Sequence, residues 1–297
     1  MHNGILISIC IPTYNRSKYL LRCVESIIGY PFNDIEIIIL DNYSTDNTKE
    51  VLNAYSDDRI KYFCNDSNIG ARQNIRNIID LATGQYCFYL TDDDMLLPGA
   101  LHSVKEYIKK YNPDVFISDM IVYLEKSNSS SISSALSTTK CPDEISIEEK
   151  AKIFFRSHIL SSLCFNKSKV DFAFYDSHVD LWYPSMLLMG LLSNRIGYLA
   201  GPVVIHIWEN ELFWGDDSSE NHLYNSFLEG IFVFKGKLDD NFFKEICKIS
   251  IYNDKKLDAR YLSVFGRNEF RNIQFNLWYA KTKLILKRSI KNLIKYT

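Results

Sequence analysis

The chain has 297 residues, of which 46% are hydrophobic and 24% are charged, as is typical of a globular protein with a sizeable core. Its net charge of -2 gives no argument for nucleic acid as a partner. The seven cysteines form no CxxC pair, so we expect free thiols in a reducing compartment, not a disulfide framework or a zinc site. No apolar run approaches the ~20 residues of a membrane-spanning helix, and the N-terminus lacks the basic region of a signal peptide. These features predict a cytoplasmic protein.

Apolar runs alternate with helical periodicities over the first ~100 residues. The apolar runs predict strands at Ile5–Ile11, Ile35–Leu40, Ile60–Cys64 and Tyr86–Thr91. Between them, apolar residues recur at helical spacing and predict helices over 20–28, Thr48–Tyr55 and Ala71–Leu81. This alternation is typical of a doubly wound α/β domain, with a mostly parallel sheet and helices on both faces.

The second half of the chain has a more mixed pattern. Pro98 is well placed as the first residue of a helix. Six serines between Ser127 and Ser134 indicate an exposed, mobile loop over Ser127–Thr139. The later elements are predicted in this order: a strand at Asp114–Ser118 that Met120–Leu124 extends, a helix at Ile147–Phe155, a strand at Leu160–Phe165, a helix at Tyr183–Leu192, a strand at Val203–Trp208 and a helix at Leu223–Phe234.

Polar clusters follow the first strands, at Thr13–Asn15, Asp41–Asn42, Asn65–Asn68 and Asp92–Asp94. If these strands are parallel, the clusters meet at one edge of the sheet, where open α/β sheets bind ligands. The last cluster places three carboxylates side by side, and their mutual repulsion costs stability. A divalent cation that prefers oxygen ligands would compensate for this repulsion. A turn whose acidic side chains cap the next helix explains the same pattern.

Four segments resemble, in order, the motifs of the family 2 nucleotide-sugar glycosyltransferases of GT-A fold. They are Ile9–Arg16, Leu40–Thr48, Asn68–Arg72 and Leu90–Asp94. Their order and spacing match across residues 5–120, and four ordered motifs are far more specific than one. The resemblance implies a nucleotide-sugar-binding half at 1–125, an acceptor-binding half of the same domain at 126–235 and a C-terminal helical extension at 236–297.

The resemblance also implies where a UDP-, dTDP- or CDP-sugar binds. The matching positions are Pro12, Thr13, Tyr14, Asn15, Asp41, Asn68 and Arg72, together with Asp92 and Asp93 of the acidic cluster. A carboxylate accepts hydrogen bonds from a nucleobase N–H, and an aromatic ring offers a stacking face. Each residue type also fits another role: Tyr14 could pack, Asn15 and Asp41 could cap helices, and Arg72 could be a solvated residue on a helix surface.

The acidic cluster aligns with the metal motif of the family, which is commonly Asp-x-Asp-Asp. Thr91 stands here in place of the first aspartate, which leaves open the carboxylate that holds the metal. We expect Asp94 to bind Mn²⁺ or Mg²⁺ directly, Asp92 to contact the ribose or a metal-bound water, and His206 to complete the metal shell. A histidine within an apolar strand is also common as a core residue.

An inverting transfer needs a base that deprotonates the acceptor hydroxyl. In the family this base is a carboxylate before an apolar helix. We expect Asp180 to take the role, with Asp176 and His178 as the next candidates. The usual Glu-Asp pair is absent here, and Asp180 could instead be the N-cap of the helix that follows.

The segment Glu209–Asn221 is acidic and aromatic, and we expect it to be a flexible loop on the acceptor side. Trp208, Phe213 and Trp214 could stack on sugar rings or pack on the core. After Glu269 the chain has seven basic and no acidic residues. Their helical spacing predicts a basic amphipathic helix on an anionic membrane surface, or a terminal helix docked on the domain.

The sequence thus predicts a glycosyltransferase that uses a nucleotide-sugar donor and a glycan or lipid-linked acceptor in O-antigen or capsule synthesis. We expect it in the cytoplasm, peripheral on the inner face of the plasma membrane. A nucleotidyltransferase is an alternative, although no Gly/Lys/Arg-rich phosphate loop lies near residue 10. A catalytically inactive sugar-binding or scaffold protein is another. A dehydrogenase is disfavoured because no GxGxxG follows the first strand.

Overall fold

One mixed sheet with helices on both faces makes up the described part of the chain. The computed structural model describes residues 4–157, 159–178, 184–208, 231–254, 259–261 and 263–274. The strands are β1 (Ile7–Thr13), β2 (Ile35–Asp41), β3 (Ile60–Cys64), β4 (Tyr86–Tyr89), β5 (Met95–Leu96), β6 (Val115–Leu124), β7 (Ser129–Ser133), β8 (Cys164–Asn166) and β9 (Ile196–Trp208). The α-helices are α1 (Ser17–Ile28), α2 (Thr48–Leu52), α3 (Ala71–Leu81), α4 (Ala100–Tyr111), α5 (Ile147–Arg156), α6 (Phe172–Asp176), α7 (Pro184–Leu191) and α8 (Asp240–Asp254), and residues 263–274 are also helical.

The strand order is β3-β2-β1-β4-β8-β6-β9-β5, and β7 pairs with the outer part of β6. The first four strands in this order are parallel to one another. β8 is antiparallel to both β4 and β6, whereas β9 runs parallel to β6 and antiparallel to β5. The predicted α/β architecture, doubly wound in the first half and mixed in the second, is confirmed.

The alternation of side chains along β1 divides the core into two layers. Ile7, Ile9 and Ile11 pack with α1 and α4 on one face, and Cys10 packs with α3, α5 and α7 on the other. β2 is buried along its whole length. Strands that are covered on both faces need apolar residues at every position, which is why they were recognisable as continuous apolar runs.

The carboxyl ends of the parallel strands meet at one edge of the sheet, as the alternation of elements predicted. Thr13 pairs with Asp41 across β1 and β2, and Asp41 pairs with Cys64 on β3. The amide of Leu90, just beyond β4, donates to the carbonyl of Cys10. The polar residues that follow these strands therefore lie next to one another along the carboxyl edge of the sheet.

Three predicted elements differ from the structure. Pro98 is outside any helix, because α4 begins only at Ala100, behind Gly99 with a φ of 82°. The chain before Pro98 instead forms β5 against β9. The serine-rich loop prediction over Ser127–Thr139 is also wrong in part, since β7 pairs there in register with β6. β9 begins seven residues before the predicted start at Val203 because its first half pairs with β6.

Several predictions fall outside the described residues. These are the loop Glu209–Asn221, most of the helix Leu223–Phe234 and the basic amphipathic helix of the tail. Within the part that the structure describes, no helix is both long enough and apolar enough to cross a membrane.

The opposite edge of the sheet contains a buried acidic network that explains one glycine. Glu36 is 1% exposed and accepts hydrogen bonds from the Ser8 hydroxyl, the Thr83 amide and Lys61 Nζ. Burial favours the protonated form, but these bonds outweigh it and lower the pKa of Glu36. The amide of Gly84 donates to Ser8 Oγ at 2.8 Å, and a Cβ at Gly84 would lie 2.7 Å from this oxygen.

We expect Gly84→Ala to lower the free energy of unfolding by about 2 kcal/mol, because the methyl group has no space beside Ser8. Gly29 is the matched control, since it has helical φ and ψ and no heavy atom within 4 Å of an added Cβ. Gly29→Ala should change stability by less than about 0.5 kcal/mol. Chemical denaturation measures both, and equal losses would contradict the steric explanation.

Candidate functional site

The turns after β1 and β2 hold each other in place at the carboxyl edge. The Asn15 amide donates to Ser44 Oγ at 2.8 Å, and Asn15 Oδ1 accepts from the Thr45 amide at 2.7 Å. Asn15 has a φ of 52° and Tyr43 a φ of 71°. Asparagine tolerates this left-handed region, but a bulky tyrosine rarely adopts it. The interlocked turns therefore impose a strained backbone beside the exposed rings of Tyr14 and Tyr43.

Asp41 is fully engaged in holding its own turn. Its Oδ1 accepts from the amide and the hydroxyl of Ser44, and its Oδ2 accepts from the Tyr62 hydroxyl at 2.6 Å. Burial and this bond raise the pKa of Tyr62 well above its ordinary value. These bonds hold the turn after β2, whereas the helix that follows has Asn47 at its N-cap, so Asp41 does not take the helix-capping role that was its alternative. The predicted contact of Asp41 with a nucleobase stays a prediction.

Four asparagines link the ends of β2 and β3 to the start of α3, and sequence analysis assigned a role only to Asn68. Asn42 donates to Asn68 Oδ1 at 2.8 Å and accepts from Asn65 at 3.0 Å. Asn65 also donates to Asn74, which in turn donates to the Leu40 carbonyl. Asn42 and Asn74 are almost fully buried. Their spacing in the sequence gives no signal for this network, because the contacts depend on the fold.

The acidic turn after β4 is tied to the β1 turn. The Thr13 hydroxyl donates to Asp92 Oδ2 at 2.6 Å, and Arg16 Nη1 lies 2.5 Å from Asp93 Oδ2 and 3.6 Å from Asp92 Oδ1. Burial and the nearby charge of Asp93 raise the pKa of Asp92 to about 7, although Arg16 and Thr13 act in the opposite direction. The structure thus brings together predicted residues from the first and last motifs.

Asp94 is completely buried against β9. Its two carboxylate oxygens lie 3.0 and 3.1 Å from Nδ1 of His206, and Oδ1 also accepts from the Ile207 amide at 3.1 Å. Burial alone would lower the pKa of His206, but the hydrogen bond and charge of Asp94 outweigh it and raise that pKa. The two residues predicted as metal ligands are therefore in direct contact across 112 positions of sequence.

Thr91, which departs from the family motif, faces away from these carboxylates toward the segment before β8. Its hydroxyl is 3.0 Å from Ser161 Oγ, and its amide donates to the same oxygen at 2.9 Å. Ser161 is fully buried. Ser161 was not among the predicted site residues, because nothing in its local pattern indicates this contact.

The other predicted residues have mixed surroundings. Tyr14 and Asn68 are exposed, and Pro12 and Arg72 are half-buried. Asp176 accepts from Arg76 Nε at 2.5 Å, and His178 Nδ1 lies 2.8 Å from the Phe174 carbonyl. Asp180 lies outside the described residues.

The arrangement of Asp94 and His206 fits part of a metal site. Within the described residues, no three histidine, cysteine or acidic side chains converge closely enough to hold an ion by themselves. Two adjacent ligands that are each about 2.1 Å from one octahedral ion lie about 3.0 Å apart. The Asp94–His206 separation of 3.0 Å is that of an ordinary hydrogen bond, and it is also compatible with this ligand spacing. The pair could therefore supply two ligands of a site that a bound diphosphate completes.

Several known proteins are similar to this chain in sequence. The model of the glycosyl transferase family 2 matches residues 8–169. The abequosyltransferase RfbV of Salmonella typhimurium is 31% identical over 229 residues, which cover 70% of this chain and 68% of that protein. The GalNAc(5)-diNAcBac-PP-undecaprenol beta-1,3-glucosyltransferase of Campylobacter jejuni is 39% identical over 113 residues, which cover 37% of each chain.

A solved structure supports the fold separately. S. aureus TarS 1-349 in complex with UDP-GlcNAc superposes with a TM-score of 0.65 and 16% identity, covering 92% of this chain and 79% of that chain. At this identity the likeness shows the shared fold, which is of the predicted GT-A type. The family model covers more than half of the sequence, and its motifs coincide with the residues that meet at the carboxyl edge. The chain therefore belongs to glycosyl transferase family 2, and it is a glycosyltransferase.

Proposed function

We propose that this glycosyltransferase moves a sugar from a nucleotide diphosphate sugar to a glycan or lipid-linked acceptor during synthesis of a bacterial surface polysaccharide. The observation that carries the proposal is the contact of Asp94 with His206 beside the interlocked turns of β1 and β2. It places carboxylates, an imidazole and an exposed aromatic ring at the edge where open α/β sheets bind ligands.

The donor half of the site suits a nucleoside. Tyr14 presents an exposed ring for stacking, and Thr13 and Asn15 hold the turn from which that ring projects. Asp92 lies beneath them, where its carboxylate could accept from a ribose hydroxyl. The UDP-GlcNAc complex of TarS is consistent with a uridine donor here, and we keep dTDP- and CDP-sugars as alternatives.

The metal half of the site suits Mn²⁺ or Mg²⁺. Asp94 and His206 would hold the ion, and Asp92 would contact it through water. A divalent ion bound there supplies Lewis-acid stabilisation of the charge on the leaving diphosphate. The protein keeps Asp94 at a fixed position through the Ile207 amide, so the ligand is oriented before any ion binds.

Asp180 remains our candidate for the base of an inverting transfer. The main rival, Asp176, already accepts a hydrogen bond from Arg76, which also pairs with Asp80. A carboxylate held by the buried Arg76 is less free to turn toward an acceptor hydroxyl, because that would break the ion pair. This pairing supports Asp180 over Asp176.

The acceptor is proposed from the relatives. Besides the two transferases described above, the putative colanic acid biosynthesis glycosyl transferase WcaA of Escherichia coli is 37% identical over 103 residues. These names are consistent with a surface-polysaccharide acceptor, with or without a lipid diphosphate. The basic tail would place the enzyme on the inner face of the plasma membrane by attraction to anionic lipids.

A thermal-shift panel tests the donor assignment. We expect UDP, dTDP or CDP at 1 mM to raise the Tm in the presence of Mn²⁺, with a smaller rise when EDTA replaces the metal, because ligands that bind only the folded state stabilise it. AMP is the control, because it shares a nucleoside and one phosphate with these ligands but lacks the diphosphate. If no nucleoside diphosphate raises the Tm above the AMP value, the chain is not acting as a nucleotide-sugar enzyme under these conditions, and the sugar-binding or scaffold alternative gains support.

We expect Asp94→Asn to abolish the metal-dependent part of this shift, since the amide retains an acceptor for Ile207 but loses the negative charge that the ion needs. Asp143→Asn is the control, because Asp143 is an exposed partner of Arg195 at a different place in the fold. Calorimetric titration with Mn²⁺ and the nucleotide from the panel measures both variants. Metal binding that is unchanged in Asp94→Asn would remove this residue from the metal site.

The base assignment is tested by comparing two aspartates. We expect Asp180→Asn to lower kcat on the order of 100-fold, the usual effect of losing a general base, with donor affinity unchanged. Asp176→Asn should mainly lower stability, because it leaves Arg76 without one of its partners. Nucleoside diphosphate release in the presence of a membrane glycolipid extract gives the rate. A larger kcat loss in Asp176→Asn, with normal stability, would reverse the assignment.

A further inference from the structure

Each carboxylate of the acidic turn has a different partner. Asp94 contacts His206 and the Ile207 amide, and Asp92 accepts from Thr13. Asp93 pairs with Arg16, whose guanidinium is always charged, whereas the His206 ring beside Asp94 is charged only when protonated. The guanidinium also lies 3.6 Å from Asp92, so that one cation is shared by two of the three carboxylates.

The position of Arg16 is fixed by the β1 turn. Arg16 is the N-cap residue of α1 and follows the strained Asn15, whose amide is bound by Ser44. Its guanidinium is within 5.8 Å of the centre of the Tyr19 ring, and its side chain is 22% exposed. The Asp92 side chain is 7% exposed. Because the cluster is partly shielded from water, the charges act on one another more strongly than in an ordinary surface ion pair.

A divalent cation that approaches the turn meets this resident charge. A guanidinium and a metal ion beside the same carboxylates repel each other, and the Asp93 oxygen that accepts from Arg16 is already occupied. A nucleoside diphosphate brings negative charges of its own, which allow both cations to remain in the site. Binding of metal and nucleotide should therefore be coupled.

We propose that Arg16 is a resident cation of the acidic turn that keeps free Mn²⁺ or Mg²⁺ weakly bound until a nucleoside diphosphate is present. The proposal rests on the proposed function of the site. Arg16 is then a positioning residue. It neutralises the charge of Asp93 in the free protein, and it makes tight metal binding depend on the nucleotide donor.

The test is a titration of each protein with Mn²⁺ alone, in which electron paramagnetic resonance measures the free ion. The same titration is then repeated in the presence of UDP, dTDP or CDP. Arg16→Gln removes the charge, and Arg16→Lys retains it. Lys18→Gln is the matched control, since Lys18 is an exposed cation on the same turn of α1. We expect Arg16→Gln to bind Mn²⁺ about tenfold more tightly than wild type without nucleotide, and to show a smaller gain from nucleotide. Arg16→Lys and Lys18→Gln should resemble wild type.

A second pair of variants makes the result independent of how well Arg16→Gln folds. Asp93→Asn leaves Arg16 without its nearest carboxylate and should weaken Mn²⁺ binding, whereas the double variant Arg16→Gln/Asp93→Asn should return to about the wild-type affinity. Equal or weaker Mn²⁺ binding on removal of Arg16 in both backgrounds, with folding intact by circular dichroism, overturns the proposal. If removal of Arg16 tightens Mn²⁺ binding but no nucleoside diphosphate binds any variant, the resident-cation role stands and the donor assignment fails.

Discussion

The burial of the Asp94 carboxylate is the constraint on which the shape of the site depends. Removal of an ionised carboxylate from water costs several kcal/mol unless hydrogen bonds and opposite charge compensate. Both compensating groups, the His206 ring and the Ile207 amide, come from β9, and the two residues after Asp94 form β5 against that same strand. The acidic turn and the end of β9 can therefore be stable only together, which couples the parallel strands β1 to β4 to β9 in the second half of the sheet.

Polar contacts hold the turns after β1 and β2, whereas burial holds Asp94. The turns after β1 and β2 carry residues with positive φ, and side-chain bonds between Asn15 and Ser44 and around Asp41 impose that conformation. Loops at a sheet edge cannot be fixed by apolar packing without closing the site. Short hydrogen bonds between side chain and backbone fix them and leave the edge open, so a ligand finds a preformed surface and loses less entropy on binding.

The sequence allowed prediction of the parts that repeat locally. Strands buried on both faces produce continuous apolar runs, so β1 to β4 and the line of their polar ends could be predicted. Contacts between distant positions could not: the Arg16–Asp93 pair spans 77 positions and has no local pattern. The conformational preference of individual residues was also overridden where pairing between strands determines the structure. The serine-rich composition of β7 is typical of a loop, yet β6 provides a partner strand. Pro98 suggested the start of a helix, yet the chain beyond Asp94 first forms β5 and a turn at Gly99.

Charge balance in the acidic turn gives a physical reason for Thr91. The family motif would place a further aspartate there, beside three carboxylates that already share one arginine and one histidine. A fourth negative charge facing the buried Ser161 would add to the repulsion within the turn, and position 91 is only partly open to water. A threonine hydroxyl bonds Ser161 without adding charge, and it ties the turn to the segment before β8. Thr91 thus contributes one contact to the packing of the sheet, and Asp92, Asp93 and Asp94 remain the carboxylates of the turn.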